Sequence, residues 1–339
     1  MEQSQKENYN WIDAAKLLSI FLVVLFHTEI HFGDFLNRTL SMIRMPMFFF
    51  LSGLLFSFKK NISFKNFASR RAKQLLIPYF WFFIIFYIYW LVIGKTEDSS
   101  DAVFYKPIIE YALGKPMSFN IVMWFIPCLY IIQCLYFLIF KNLPSNIKVI
   151  LLYGLSIIPY FINLDNYPYS LDRVFIGILF YGISSTFSKD IINFITSSNH
   201  TKYIAILLSI IISILISFYI FTSPSSIITY TLELVNSFLF IFLIMTFINW
   251  LMKANGKVKW IKYMSQNAII ILALHTYSNM FLFKIADYLG IEPLSNAQQI
   301  LYNLVISLST LLLMYIPIYL INRFAPFILG RSFKIKTTL

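Results

Sequence analysis

The sequence predicts an all-α fold, a polytopic membrane bundle of about ten transmembrane helices with both termini in the cytoplasm, and three observations carry that prediction. The chain is 59% hydrophobic and 19% aromatic with only 12% charged residues over 339 positions, a composition outside that of soluble globular domains. Apolar runs of the roughly 20 residues needed to cross a bilayer recur along its whole length. The connectors between these runs alternate between rich and poor in Lys and Arg.

Taken in order, the expected spans lie near residues 12–30, 41–58, 75–93, 121–140, 147–163, 171–187, 203–222, 231–252, 267–284 and 299–321. The first follows the polar stretch MEQSQKENYN and lacks a small-residue cleavage site, so it reads as a retained span rather than a signal peptide. The second, within RMPMFFFLSGLLFSF, opens at Arg44, carries Pro46 near its first turn where a missing N–H is harmless, and contains Ser52 and Gly53, which permit close helix approach. The third grows out of a basic connector, SFKNFASRRAKQLLIPYFW. The fourth holds Cys128 and Cys134 on different faces of one helix, which rules out a mutual disulfide. The sixth opens on the charged pair Asp172 and Arg173. The ninth carries Asn267 and His275, eight residues apart and so on one face, and the tenth leads into a short basic tail. With no internal repeat and no appended soluble segment, one domain over residues 1–339 is expected.

The net charge of +12 would suggest nucleic acid in a soluble protein. Here the basic residues sit between spans, where they act as topology signals, and nucleic acid is excluded as a partner. Connectors holding Lys6, Lys59 to Lys73, Lys141, Lys148, Lys189, Lys202, Lys253 to Lys262 and Arg323 to Lys336 are assigned to the inside. The segment GKTEDSSD, residues 94–101, belongs to the opposite set. An inner, plasma-membrane location with multiple passes follows.

Ionisable groups inside a membrane face a cavity, a partner or a substrate path. In the first span, WIDAAKLLSIFLVVLFHTEIHF, Lys16 and His27 are separated by ten residues, about three helical turns, and project from nearly one face ~16 Å apart. Asp13 shares that stripe, although an interfacial role explains it equally. His27 is the group among them suited to general base work near neutral pH. His31 lies one turn farther on, but no third ligand accompanies a His-x-x-x-His pair, so no metal is expected. Arg44 is explained less completely by packing than its neighbours. Arg70, Arg71 and Lys73 fall within one turn at the mouth of a span, where phosphate contacts and topology both want cations. Arg173 is a further candidate, and Asn267 and His275 either line the same cavity as His27 or bridge helices.

Together these segments resemble the acyltransferase family 3 membrane proteins, in particular the fucose 4-O-acetylase-like and polysaccharide O-acetyltransferase branch. The resemblance runs over essentially the whole chain. It rests on the spacing of Lys16 and His27, on MPMFFFLSG, and on RRAKQLLIPYFW, MWFIPCLY and the late ILALH. It implies ten spans, an acyl-CoA donor such as acetyl-CoA taken from the cytoplasm, and O-acetylation or similar acylation of a cell-surface or exported glycan. The implied partners are a glycan or glycolipid acceptor, the lipid bilayer and surface-polysaccharide assembly machinery. Two departures stand out: Lys16 replaces the Arg of many members, which removes bidentate recognition, and the hydrolase-like outer domain of some members is not present in this sequence.

In such a reaction His27 is the base, while Lys16, Arg44 and Arg173 are alternatives for stabilising the oxyanion or holding CoA phosphates. Direct transfer and a covalent acyl intermediate on histidine or serine both fit. The rival readings are a proton-coupled transporter or glycan flippase, and a membrane sensor or scaffold. Against transport stands the lack of paired interrupted spans in corresponding halves.

Overall fold

A computed structural model describes residues 10–28, 34–56, 62–92, 104–117, 120–164, 167–198, 200–255, 258–291, 293 and 295–331. Glu29, His31, Lys59, Lys60, residues 94–101, Lys334 and Lys336 lie outside the described residues. Among the described residues the fold is all helical, with a single isolated bridge between Met117 and Asn120.

The helices are α1 (Asn10–Phe26), α2 (Asp34–Leu54), α3 (Phe64–Val92) and α4 (Lys106–Ala112), then α5 (Phe125–Phe140), which a 3-10 turn at Ile121–Trp124 introduces. There follow α6 (Ser145–Ser156), α7 (Ile158–Phe161), α8 (Leu171–Thr186), α9 (Ser188–Thr196), α10 (His200–Thr222) and α11 (Ile227–Asn255). The chain ends in α12 (Lys259–Gln266), α13 (Ala268–Tyr288), α14 (Asn296–Leu313) and α15 (Tyr315–Phe324), closed by a 3-10 turn at Pro326–Leu329.

Each of the ten expected segments falls on a helix or on two consecutive helices, but among the described residues only 6 helices qualify as membrane spans by length and composition. The bent pair α8 and α9, which turns through 71°, raises the figure to 7. Those that fall short do so for physical reasons. α1 has 17 residues and carries Asp13 and Lys16, α2 carries Arg38 and Arg44, and α6 with α7 is short and broken.

Pro46 departs from expectation. The mixed stretch Asp34 to Ser41, DFLNRTLS, is itself helical, so α2 begins well before the apolar run and Pro46 lies in mid-helix rather than in its first turn. An apolar-run criterion cannot see a helix that starts in a mixed stretch, and a proline in mid-helix removes one backbone hydrogen bond from the ladder. The Ser52–Gly53 expectation holds: a Cβ on Gly53 would stand 2.1 Å from the Tyr181 carbonyl, so only glycine lets α2 lie against α8. Cys128 and Cys134 are both free, as their spacing requires.

α1 is the hub of the bundle, packed against α2, α11, α12, α13 and α14. Its Ala15, Ile20 and Val24 are fully buried. α1, which carries Asp13 and Lys16, is thus surrounded by other helices, where ionisable side chains can find polar company away from lipid.

Candidate active site

His27 ends α1, its backbone N–H reaching the Val23 and Val24 carbonyls at 3.3 and 3.2 Å, and its side chain enters a cavity of about 370 Å³. Arg44 from α2, Trp124 from the 3-10 turn, Phe125 from α5 and Arg173 from α8 complete its functional wall. Among the described residues, arginines are the charged residues of that lining, and no carboxylate belongs to it. Arg44 lies over the Phe26 ring at 3.6 Å, and Phe26 packs edge-on to His27 with centroids 5.1 Å apart. Arg173 lies over Trp124 at 4.0 Å and makes a long 3.6 Å contact to Asp172. Stacking of this kind takes up the guanidinium faces and leaves the N–H edges to receive an oxyanion. The approach to α8 is locally strained, with Tyr169 and Ser170 at φ 63° and 51°, and this bend sets Arg173 at the cavity.

Behind this cavity lies another of about 200 Å³, and Phe48, Phe125 and Leu272 are common to both walls. These three come from MPMFFFLSG, MWFIPCLY and ILALH, so three of the segments that carry the sequence resemblance build one partition. The second cavity is lined by three carboxamides, Gln74, Gln266 and Asn267, and by Arg331. Arg331 donates to Asn322 Oδ1 at 2.6 Å and to Asn267 Oδ1 at 3.4 Å. Desolvation lowers its pKa from the ordinary arginine value, and the guanidinium remains charged at neutral pH. Arg71 donates to Gln74 Oε1 at 3.0 Å, and a Cβ on Gly330 would lie 2.3 Å from the Lys73 carbonyl. Of the cluster Arg70, Arg71 and Lys73, the Arg71 side chain and the Lys73 backbone thus reach residues beside the second cavity, while Arg70 is exposed.

At the other end of α1, Ser265 donates to Asp13 Oδ1 at 2.6 Å. Since Ser265 immediately precedes Gln266 and Asn267, the Asp13–Lys16 end of α1 is level with the second cavity and the His27 end with the first. Lys16 is half-buried and lies on neither wall. The structure brings together His27, Arg44 and Arg173 on one side of the partition and Asn267 with Arg331 on the other.

His275 does not line the first cavity but stands behind His27, fully buried, with ring centroids 5.3 Å apart. Four residues along the same face of α13, Asn279 donates to the Val24 and His27 carbonyls, at 3.3 Å each. Asn279 Oδ1 in turn accepts from Thr310 at 2.6 Å.

Sequence reasoning missed Gln74, Asn279, Thr310 and Arg331. The i, i+4 spacing of His275 and Asn279 was a usable signal, since both must share a helix face. Arg331 lay hidden in a tail whose charges the topology rule already explained.

A family model described as an acyltransferase domain matches residues 9–319. The chain belongs to acyltransferase family 3 and is an acyltransferase that transfers groups other than amino-acyl groups. With its apolar helices, it is a multi-pass membrane protein. No curated protein and no solved structure matches the chain.

Proposed function

We propose that this member of acyltransferase family 3 moves an acetyl or similar acyl group from acyl-CoA, taken from the cytoplasm, to a hydroxyl of a cell-surface or exported glycan. The observation that carries this reading is the pair of cavities back to back across Phe48, Phe125 and Leu272. One of them is built for a donor. The primary amides of Gln74, Gln266 and Asn267 can both donate to and accept from the amides of a pantetheine arm. Arg331 in its wall, with Arg71 bonded to Gln74 and the neighbouring Arg70 and Lys73, suits CoA phosphates.

The other cavity suits the acceptor and the chemistry. A neutral His27 takes the acceptor hydroxyl proton as the oxygen bonds to the acyl carbon, the C–S bond breaks, and the proton passes to the departing thiolate. Ester and free CoA thiol are the products. General base help of this sort contributes about 10²–10⁴-fold. Arg44, closest to His27 through their shared contact with Phe26, is assigned to the developing oxyanion and Arg173 to the acceptor side. The aromatic walls supply the flat apolar surface that sugar rings favour.

In the membrane, the second cavity and residues 59–73 face the cytoplasm, residues 94–120 face out, and ten helical segments cross the plasma membrane with both termini inside. The test is biochemical. Purified protein in lipid nanodiscs given labelled acetyl-CoA and extracted surface glycan should release CoA thiol and form labelled ester, and a deletion strain should lose glycan ester groups. An unchanged ester content together with no thiol release would overturn the reading.

A further inference from the structure

His275 contributes to neither cavity wall, yet its environment dictates its protonation. Its Nδ1 lies 3.0 Å from the Ile271 carbonyl and 3.1 Å from the Leu272 carbonyl. Carbonyl oxygens only accept, so Nδ1 carries the hydrogen and Nε2 of the neutral ring carries a lone pair. That Nε2 is buried and has no hydrogen-bond partner among the described residues. An acceptor left open inside a helix bundle is costly, because no water replaces the missing donor.

The ring of His27 lies 5.3 Å from that of His275 between centroids, with the planes inclined at 56°. Because a ring nitrogen lies roughly 1 Å from its centroid, facing nitrogens at this spacing come near the ~3 Å of a hydrogen bond after a small ring rotation. The backbone of His27 is meanwhile fixed from the same helix. Asn279, itself 1% exposed, holds the Val24 and His27 carbonyls and is anchored by Thr310. A side chain can be aimed only if the backbone that bears it is held, and α13 supplies both restraints.

We propose that His275 and Asn279 are positioning residues for His27. Asn279 pins the end of α1, and His275 Nε2 accepts the hydrogen of the His27 nitrogen turned away from the cavity. The other His27 nitrogen then bears the lone pair and faces the acceptor hydroxyl. When that nitrogen takes the hydroxyl proton, the bond to His275 persists and keeps the imidazolium in place until the proton leaves with the CoA thiolate. The logic is that of an orienting partner behind a catalytic histidine, with a neutral imidazole in the place of a carboxylate. The proposal rests on the reading of His27 as the base, and its test separates the two.

Protein labelled with ¹⁵N-histidine, in lipid, is measured by solid-state magnetic resonance, the four histidines being assigned by single substitution. The expected wild-type spectrum has His275 protonated at Nδ1 and His27 in one tautomer with a hydrogen-bonded N–H. His275 protonated at Nε2 would overturn the pairing with no variant needed. In His275→Leu, His27 should populate both tautomers and kcat should fall about tenfold or more with both KM values unchanged. His275→Gln, whose side-chain oxygen accepts at similar reach, should recover most of that loss. Equal activities in the Leu and Gln variants, per mole of folded protein, would overturn the proposal. Absence of any acyl transfer by the wild type would instead remove the base role, while the spectrum would still decide the pairing.

Discussion

Two buried polar clusters tie helix pairs together in this bundle, and they differ in how completely their atoms are paired. Between α10 and α11, Ser213 donates to Asn236 Oδ1 at 2.7 Å and Asn236 Nδ2 donates to Ser217 at 2.9 Å, so the amide is satisfied at both ends. Between α1 and α13, Asn279 is likewise satisfied, but His275, whose ring lies beside that of His27, has its Nε2 unpaired among the described residues. The first cluster sits on a helix whose Leu207, Ile214, Leu215 and Phe218 are all exposed on the bundle's outside. The second sits beside the cavity that holds the candidate base. A closed network between lipid-facing helices does the work of packing, whereas an open acceptor beside a titratable ring is retained at a cost that packing alone does not explain. The two clusters thus differ in that one leaves a buried ring nitrogen unpaired beside the candidate base.

The largest expected effect comes from breaking the open cluster at its centre. His27→Ala removes the proton acceptor and leaves the apolar stretch of α1 intact, so transfer per mole of folded protein should fall about 10²-fold or more while protein level holds. A variant with normal specific activity would show that His27 is no more catalytic than Asn236.

Next in size is the donor side of the partition. Arg331→Gln takes a charge-assisted donor from the second cavity and should raise the KM for acetyl-CoA about tenfold, with kcat little changed, as for lost uniform binding. Neutralising Arg70, Arg71 and Lys73 together should act in the same direction. If instead membrane insertion fails and the surviving protein keeps its donor KM, the cluster is a topology signal alone.

Smallest is the effect at the closed cluster. Asn236→Leu should lower stability by about 1 kcal/mol, read as reduced thermal retention in detergent, with specific activity unaltered. A loss of kcat there would erase the contrast between the clusters.

The helical segments were legible because a membrane span is a local property: about 20 apolar residues satisfy their own backbone bonds and need no partner to be recognised. His27 and Arg44 were legible for the converse reason, as costly groups in apolar surroundings. The mixed first part of α2 was not, since nothing local distinguishes such a helix from a loop until other helices enclose it.

What the sequence by itself determined, then, is an all-helical membrane chain with charges confined to few spans and a histidine at the end of the first. Tertiary structure alone decided that Gln74, Gln266 and Arg331, far apart in the chain, line one cavity. It also decided that Phe48, Phe125 and Leu272 divide that cavity from His27, and that His275 stands behind His27 while Lys16 lies on neither wall. The physical reason is that hydropathy and helical period report only which residues share a segment and a face. Which faces meet depends on close approaches such as that of Gly53 to the Tyr181 backbone and on the summed packing of the helices around α1.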